Sequence, residues 1–195
     1  MSLTRQPKRD DRDYYETPQW CVDLLAKEIA SREVQPDILV DLGSGDGRIG
    51  VTVQKYTKAK KIYLIEKYPK PDHACIEYDA RLWLKESKPK AKRALGIVSN
   101  PPFSQAKPWI VRACKVLRKS PNGSFAAFLL RLNWLGSLTR AGFLLKHPPS
   151  KIRVLVPRPS FVNKGTDACE YAWFFWENVS TESIKILVDP NRLPK

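Results

Sequence analysis

Asn100-Pro101-Pro102-Phe103 closes the apolar run Leu95–Ser99, and its residue types suit one kind of chemistry, in which a planar exocyclic amine is held while a group is transferred to its nitrogen. Such a nitrogen is a poor nucleophile, because its lone pair is delocalised into the neighbouring ring. Two acceptors facing the amine, the Asn100 side-chain oxygen and the backbone carbonyl of Pro101, would occupy both N–H groups and favour a tetrahedral nitrogen. Preorganised acceptors of this kind act on developing positive charge as an oxyanion hole acts on negative charge. Two successive prolines stiffen the loop and remove no donor that it needs. Phe103 offers a face on which a base taken out of a duplex could stack. For the tetrapeptide standing alone, a rigid strand-end loop with Phe103 in the core is the alternative.

Upstream, Asp41-Leu-Gly-Ser-Gly-Asp-Gly47 follows the apolar run Ile38–Val40, which reads as a strand, a glycine turn and a helix. Gly43, Gly45 and Gly47, with Ser44 and Asp46 between them, remove side chains that would block a ligand. Backbone N–H groups and the helix start can then face it at the carboxyl edge of a sheet. Glu66 ends the next apolar run and is placed to accept hydrogen bonds from a ribose diol. Gly45-Asp-Gly-Arg-Ile-Gly50 is also formally GxGxxG with an acid about twenty residues on, the arithmetic of a nicotinamide dinucleotide site. The glycines alone leave the cofactor open.

The elements that must position these motifs alternate along the chain. Thr17-Pro18 predicts a helix start, with Thr17 as cap, Pro18 at the first helical position, and Trp20, Leu24, Leu25 and Ile29 at helical spacing. Strands are expected at 38–42, 61–66, 74–78, 95–99 and 124–130, and helices at 48–56 and 108–117. Two further strands, 152–156 and 170–176, are joined by a loop over 157–167 and form a far edge that is partly antiparallel. Residues 85–93 and 134–151 read as basic loops. Strands alternating with helices imply a mostly parallel sheet.

Charge supplies a second clue. Lys85–Arg153 contains fifteen Lys or Arg against the one acid Glu86, so this segment carries the whole formal net charge of +14. No acid occurs from Ser87 to Thr166, which points to a polyanion as partner rather than a solvated face of mixed sign. Arg140, Lys146 and Lys151 are the candidates for phosphate-backbone contacts, which position nucleic acid without reading it. A membrane surface fits less well, since no helix shows a single Lys/Arg face. Cys21, Cys75, Cys114 and Cys169 form no CxxC pair and read as buried apolar residues in a reducing compartment. His73, near Cys75, reads as a surface histidine, and no metal site is expected. The charged start of the chain has no signal-peptide core, and a cytoplasmic protein is expected.

Asp41 before the compact Gly-Ser-Gly-Asp-Gly pattern resembles the first motif of S-adenosylmethionine-dependent methyltransferases. With Asn-Pro-Pro-Phe behind it in that order, the chain looks like the amino-methyltransferases acting on adenine N6 in DNA, and specifically their small phage or prophage members, from Tyr14 to about Glu177. Glu16-Thr17-Pro18, Arg131-Leu-Asn-Trp-Leu135, Arg158-Pro-Ser-Phe161, Lys164-Gly-Thr and Tyr171–Trp176 are similar to further motifs of that group. The resemblance implies an α/β, Rossmann-like class I methyltransferase with a mostly parallel seven-stranded sheet flanked by helices. It implies one domain over 14–195 after a mobile tail at 1–13, with no separate target-recognition domain.

By the same resemblance, Asp41, Gly43 and Gly45 would surround the methionine end of S-adenosylmethionine, Thr17 and Pro18 would close over it, and Glu66 would meet the ribose. Asp79 would meet the adenine amino group, or would simply end its strand and cap a helix. Phe161 would touch the flipped base opposite Phe103, or be an ordinary buried aromatic; Lys164 would serve phosphate or solvent. DNA is the expected partner, with RNA the nearest rival. Methylation of a protein glutamine, an inactive nucleic-acid-binding scaffold and cytosine N4 as the acceptor are the remaining readings.

Overall fold

The computed structural model describes residues 15–86, 93–161 and 168–178; the expectations for residues 1–14, for Lys164 and for the 87–92 part of the basic segment lie outside them. Seven strands form one sheet in the order β3-β2-β1-β4-β5-β7-β6. They are β1 (Ile38–Leu42), β2 (Lys61–Glu66), β3 (Ile76–Glu77), β4 (Leu95–Ser99), β5 (Phe125–Arg131), β6 (Lys151–Val154) and β7 (Tyr171–Glu177). Strands β1 to β5 are mutually parallel, while β7 runs antiparallel to both β5 and β6. The far edge is therefore antiparallel, as the sequence predicts. Central β4 is buried at every position, which is why its sequence is a continuous apolar run instead of an alternating one.

The chain winds outward from β1 through β2 to β3, then returns to place β4 on the other side of β1. The strand order reverses between β1 and β4, and in open α/β sheets that switch point opens a crevice at the carboxyl ends of the strands. Gly43 follows β1 and Asn100 follows β4, so the two motifs are brought to the same crevice by topology. Ser99 locks the pair: its buried hydroxyl donates to the Leu42 carbonyl at 2.6 Å.

Helices α1 (Gln19–Ala30) and α2 (Arg48–Tyr56) cover one face, and α3 (Ala80–Glu86), α4 (Ala106–Leu117) and α5 (Leu138–Lys146) the other. Along β5 the side chains alternate between the two cores, with Ala126, Phe128 and Leu130 facing α4 and Phe125, Ala127 and Leu129 facing α1. Pro108 falls on the third residue of α4, where a missing N–H costs nothing because the first turn has no internal acceptor for it.

Four expectations are corrected. The third strand is only Ile76–Glu77, an exposed edge pair, because nothing covers it to reward a longer ladder. Thr17 does not cap α1: the helix starts at Gln19 with Pro18 as its N-cap and no side-chain cap. Helix α5 replaces predicted loop, with only Ala141 and Leu144 buried in it, and α3, seven residues and too short to show a period, falls mostly where no element was expected, overlapping the predicted basic loop only at Lys85 and Glu86. Of the cysteines, Cys21 and Cys114 are buried but Cys75 and Cys169 are half-buried.

Two glycines give opposite expectations for stability. A Cβ on exposed Gly142, inside α5, meets nothing within 4 Å, whereas one on Gly96 lies 2.9 Å from the Phe125 ring and 3.1 Å from Pro36. Gly142→Ala should stabilise by about 0.5–1 kcal/mol through lower unfolded-state entropy. Gly96→Ala should destabilise by about 1–3 kcal/mol through overpacking, both read by urea unfolding.

Candidate active site

The crevice holds a cavity of about 540 Å³, within the roughly 300–1,000 Å³ range of small-molecule sites. Its walls come from five places: Tyr15–Thr17, the turn Gly43–Asp46 with Arg48 and Ile49, the end of β2 at Ile65–Tyr68, Asp79–Arg81 at the start of α3, and the loop after β4 with Asn100, Pro102, Ser104, Gln105 and Trp109.

Gly43, Gly45 and Gly47 have φ of 64°, 56° and 77°, left-handed values that disfavour any side chain. The turn's donors are turned inward. Gly43 and Ser44 donate to the Ile65 carbonyl at 2.8 and 3.0 Å, Gly45 donates to Glu66 Oε2 at 2.9 Å, and Gly47 donates to the Ser44 carbonyl. Arg48 N–H is taken by Asp46 Oδ1 and Gly50 N–H by Asp41 Oδ2 at 2.8 Å. From Gly43 to Arg48, every N–H but that of Asp46 is thus taken by an acceptor among the described residues, and two carboxylates of the chain itself stand at the helix start. Asp46, Glu66 and Asp79 line the wall together with Arg48, Lys67 and Arg81.

Asp41 lies beneath the turn and does not line the cavity. Its Oδ1 is buried without a partner. Burial, with smaller contributions from the Asp46 and Glu66 charges, pushes its pKa up to about 7. The approach to α2 needs Gly50, whose Cβ would stand 2.8 Å from Leu64 and 3.0 Å from the Asp41 Cβ.

Asn100 donates from Nδ2 to the Tyr15 carbonyl at 3.2 Å and to Thr17 Oγ1 at 3.1 Å. A carbonyl only accepts, so the Tyr15 bond fixes which end of the amide is nitrogen. The Asn100 oxygen is left with no protein partner among the described residues and belongs to the cavity wall. Thr17 is buried, its hydroxyl engaged by Asn100 in place of the helix cap expected for it. Arg48 holds this segment down: it donates to the Thr17 carbonyl and to Glu16 at 3.0 Å each, and to Asp46 at 2.6 Å.

Pro101 is buried and outside the cavity wall; the Pro102 carbonyl is taken by Gln105 N–H at 2.8 Å. Phe103 also sits just behind the wall, within an aromatic group. Its ring is 6.5 Å from Tyr15 and 6.2 Å from Tyr171, and the Arg131 guanidinium lies 4.4 Å over it. Phe161 packs on Tyr171 at 4.8 Å; both predicted base-stacking phenylalanines thus contact one buried tyrosine, and neither lines the cavity.

Glu66 accepts from Gly45 and from Tyr68 N–H at 3.0 Å, one bond on each oxygen. Asp79 does both things foreseen for it in part: it lines the cavity and accepts Arg81 N–H at the start of α3. The Arg81 side chain, aided by Lys67, holds its carboxyl well below the usual range. His73, predicted as a plain surface residue, is half-buried with Nδ1 3.1 Å from the Gly45 carbonyl. Pro18 and Gly47 are not part of the wall.

The three predicted phosphate contacts do not converge on the cavity. Arg140 donates to the Trp134 carbonyl at 2.7 Å and stacks 5.2 Å over its ring. Lys151 is paired with Glu28 at 3.3 Å, near the far end of α1. Lys146 is exposed. Sequence reasoning missed Tyr15, Arg48, Trp109 and Arg131. Tyr15 acts through its backbone, which no side-chain pattern reveals; Arg48, two residues beyond Asp46 at the helix start, carried the only readable signal.

No protein-family model and no curated protein matches the chain. Solved structures do. A candidate RNA methyltransferase from Pyrococcus horikoshii superposes with a TM-score of 0.62 at 13% identity, covering 93% of this chain and 95% of that one. The fold is that of a class I methyltransferase. The methyltransferase subunit of a type I restriction-modification system from Streptococcus thermophilus gives 0.60 at 16% identity over 86% of this chain and 45% of its own, so the chain spans less than half of that subunit. The 1,6-didemethyltoxoflavin N1-methyltransferase of Burkholderia thailandensis, solved with S-adenosylhomocysteine, gives 0.55 at 11% identity over 81% and 78%.

The raised pKa of Asp41 has a sign. Between about pH 4 and 7 the folded state holds a proton that the unfolded state releases, so this group's contribution to stability falls as pH rises through that window. Asp41→Asn keeps an acceptor for Gly50 and removes the fall. Urea unfolding should show the variant's stability relative to the parent rising from pH 4.5 to 7.5; a parallel profile for the two proteins would contradict the assignment.

Proposed function

We propose that this protein transfers a methyl group from S-adenosylmethionine to the exocyclic N6 of adenine in DNA, with the base turned out of the helix against Asn100. One observation carries the reading. The Asn100 amide commits its donors to Tyr15 and Thr17 and presents its oxygen to the cavity, the orientation required of an acceptor for an amine.

The residues present fit the cofactor. S-adenosylmethionine would supply an electrophilic methyl on a sulfonium cation; the wall carries Glu16, Asp46, Glu66 and Asp79 beside Arg48, Lys67 and Arg81, and of the four carboxylates Glu66 alone makes no ion pair among the described residues. Glu66, held by two backbone N–H groups, keeps lone pairs for the ribose diol. Ionised Asp79 accepts from the adenine amino group of the cofactor. Gly43, Ser44 and Gly45 pass close to the methionine end, with Thr17 and Pro18 over it and Asp41 supporting the turn from below. At the acceptor base, Asn100 Oδ1 takes one amine hydrogen and the Pro101 carbonyl, which accepts no backbone bond among the described residues, takes the other. Phe103 and Phe161, tied through Tyr171, limit where the ring can sit.

DNA is preferred to RNA on the similarity of Glu16-Thr17-Pro18 and Arg158–Phe161 to the small phage group; the Pyrococcus horikoshii neighbour keeps RNA as the second reading. Labelled methyl transfer to duplex DNA, single-stranded DNA and RNA in parallel, with nucleoside analysis, separates them. The expected product is N6-methyladenine in DNA. Asn100→Ala should lower kcat by about 10²–10³-fold, the usual cost of one preorganised hydrogen-bonding group. Label confined to RNA would select the second reading; N4-methylcytosine would change the base.

A further inference from the structure

Among the described residues, two neighbouring helices combine cations that make no ion pair with a complete lack of acids of their own. Helix α4 with the two residues after it, and α5, carry Lys107, Arg112, Lys115, Arg118, Lys119, Arg140 and Lys146 and no acid, whereas α1 and α2 carry three cations and two acids. Ion pairs between described residues involve Arg32, Arg48, Lys60, Lys67, Arg81, Lys151 and Arg153, and none touches α4 or α5. Where α4 and α5 cations have partners, these are carbonyls: Lys107 donates to Thr139, Arg112 to Arg81 and Arg140 to Trp134. A carbonyl orients a cation without cancelling its charge.

The two helices present this charge as one surface. Burial lowers the pKa of His147, just after α5, and Arg118 and Lys146 lower it further, so the ends of α4 and α5 lie within reach of each other's field. Lys107 stands near the start of α4, close behind Asn100 at the carboxyl edge, and Lys119 lies just past its far end. Twelve residues at 1.5 Å separate them, about 18 Å, or about five base steps of 3.4 Å. Lys107, Lys115, Arg118, Lys119 and Lys146 are all exposed.

We propose that the α4–α5 face is a phosphate track that carries duplex DNA away from the cavity on one side of the target base. The proposal rests on the nucleic-acid reading above and adds the direction in which the substrate runs. It spreads the grip on a polyanion over the cations of two helices, Arg140 among them, and does not need Lys151, which is paired with Glu28.

The test is DNA affinity as a function of salt for the triple variant Lys115→Gln, Arg118→Gln, Lys119→Gln, beside a control in which Lys27 and Lys55 on the opposite layer become Gln. Each lost phosphate contact removes about 0.9 from the slope of log K against log salt. The triple variant should lose two to three from that slope and bind at least about tenfold more weakly at low salt. Its kcat at saturating DNA and its thermal shift with S-adenosylmethionine should match the parent, which also shows that it folds. Trimming the duplex beyond the target should weaken parental binding from one side only. An unchanged slope in the triple variant, or an equal loss in the control, overturns the track. Failure of the parent to bind any nucleic acid while still binding cofactor overturns the reading beneath it.

Discussion

Everything at the carboxyl edge depends on which way one amide points. Asn100 can serve an amine only with its oxygen outward, and the Tyr15 carbonyl, which cannot donate, enforces that choice. The choice is then handed back along the chain, because Tyr15 and Thr17 stay over Asn100 only while Arg48 holds Thr17 and Glu16. Arg48 is in turn fixed by Asp46 in the glycine turn. Glu16 is half exposed, so its ion pair is worth no more than about 1 kcal/mol of stability. The value of the arrangement lies in position: a segment outside the sheet, the turn after β1 and the loop after β4 form one hydrogen-bonded unit.

The glycine turn is held in the same way, by partners within the chain. Most of its N–H groups are taken by Ile65, Ser44, Glu66, Asp46 and Asp41, which gives the turn a fixed shape and leaves it fewer free donors than glycine turns that bind phosphate. Asp41 carries the strain of this, fully buried and with one oxygen unpartnered.

Much of this was legible in the sequence, and the failures have physical causes. The parallel strands could be read because burial on both faces demands unbroken apolar runs, and the order of the two motifs placed them at one crevice. Asn100 and Glu66 could be placed at the cavity wall because their positions at strand ends are tied to those runs. Thr17 was misread as a cap, since a Thr-Pro pair before a helical pattern has the same appearance whether the hydroxyl turns to its own helix or to Asn100. Helix α5 was missed because Gly142 and a narrow buried stripe blur its period. Arg140 and Lys151 were read as phosphate contacts from charge alone; the partners they have within the chain, the Trp134 carbonyl and Glu28, are visible only once it is folded. Charge density survived folding as a signal better than any single charged residue did.

The most direct test of the amide's role is a double-mutant cycle on the single-turnover rate of methyl transfer, using Thr17→Val, Asn100→Ala and the pair. If Thr17 acts by aiming the Asn100 amide, its loss should slow transfer several-fold in the parent and change nothing once Asn100 is gone. The same slowing in both backgrounds would show that Thr17 and Asn100 work independently, and would contradict the claim that the amide's orientation is what the surrounding structure is built to hold.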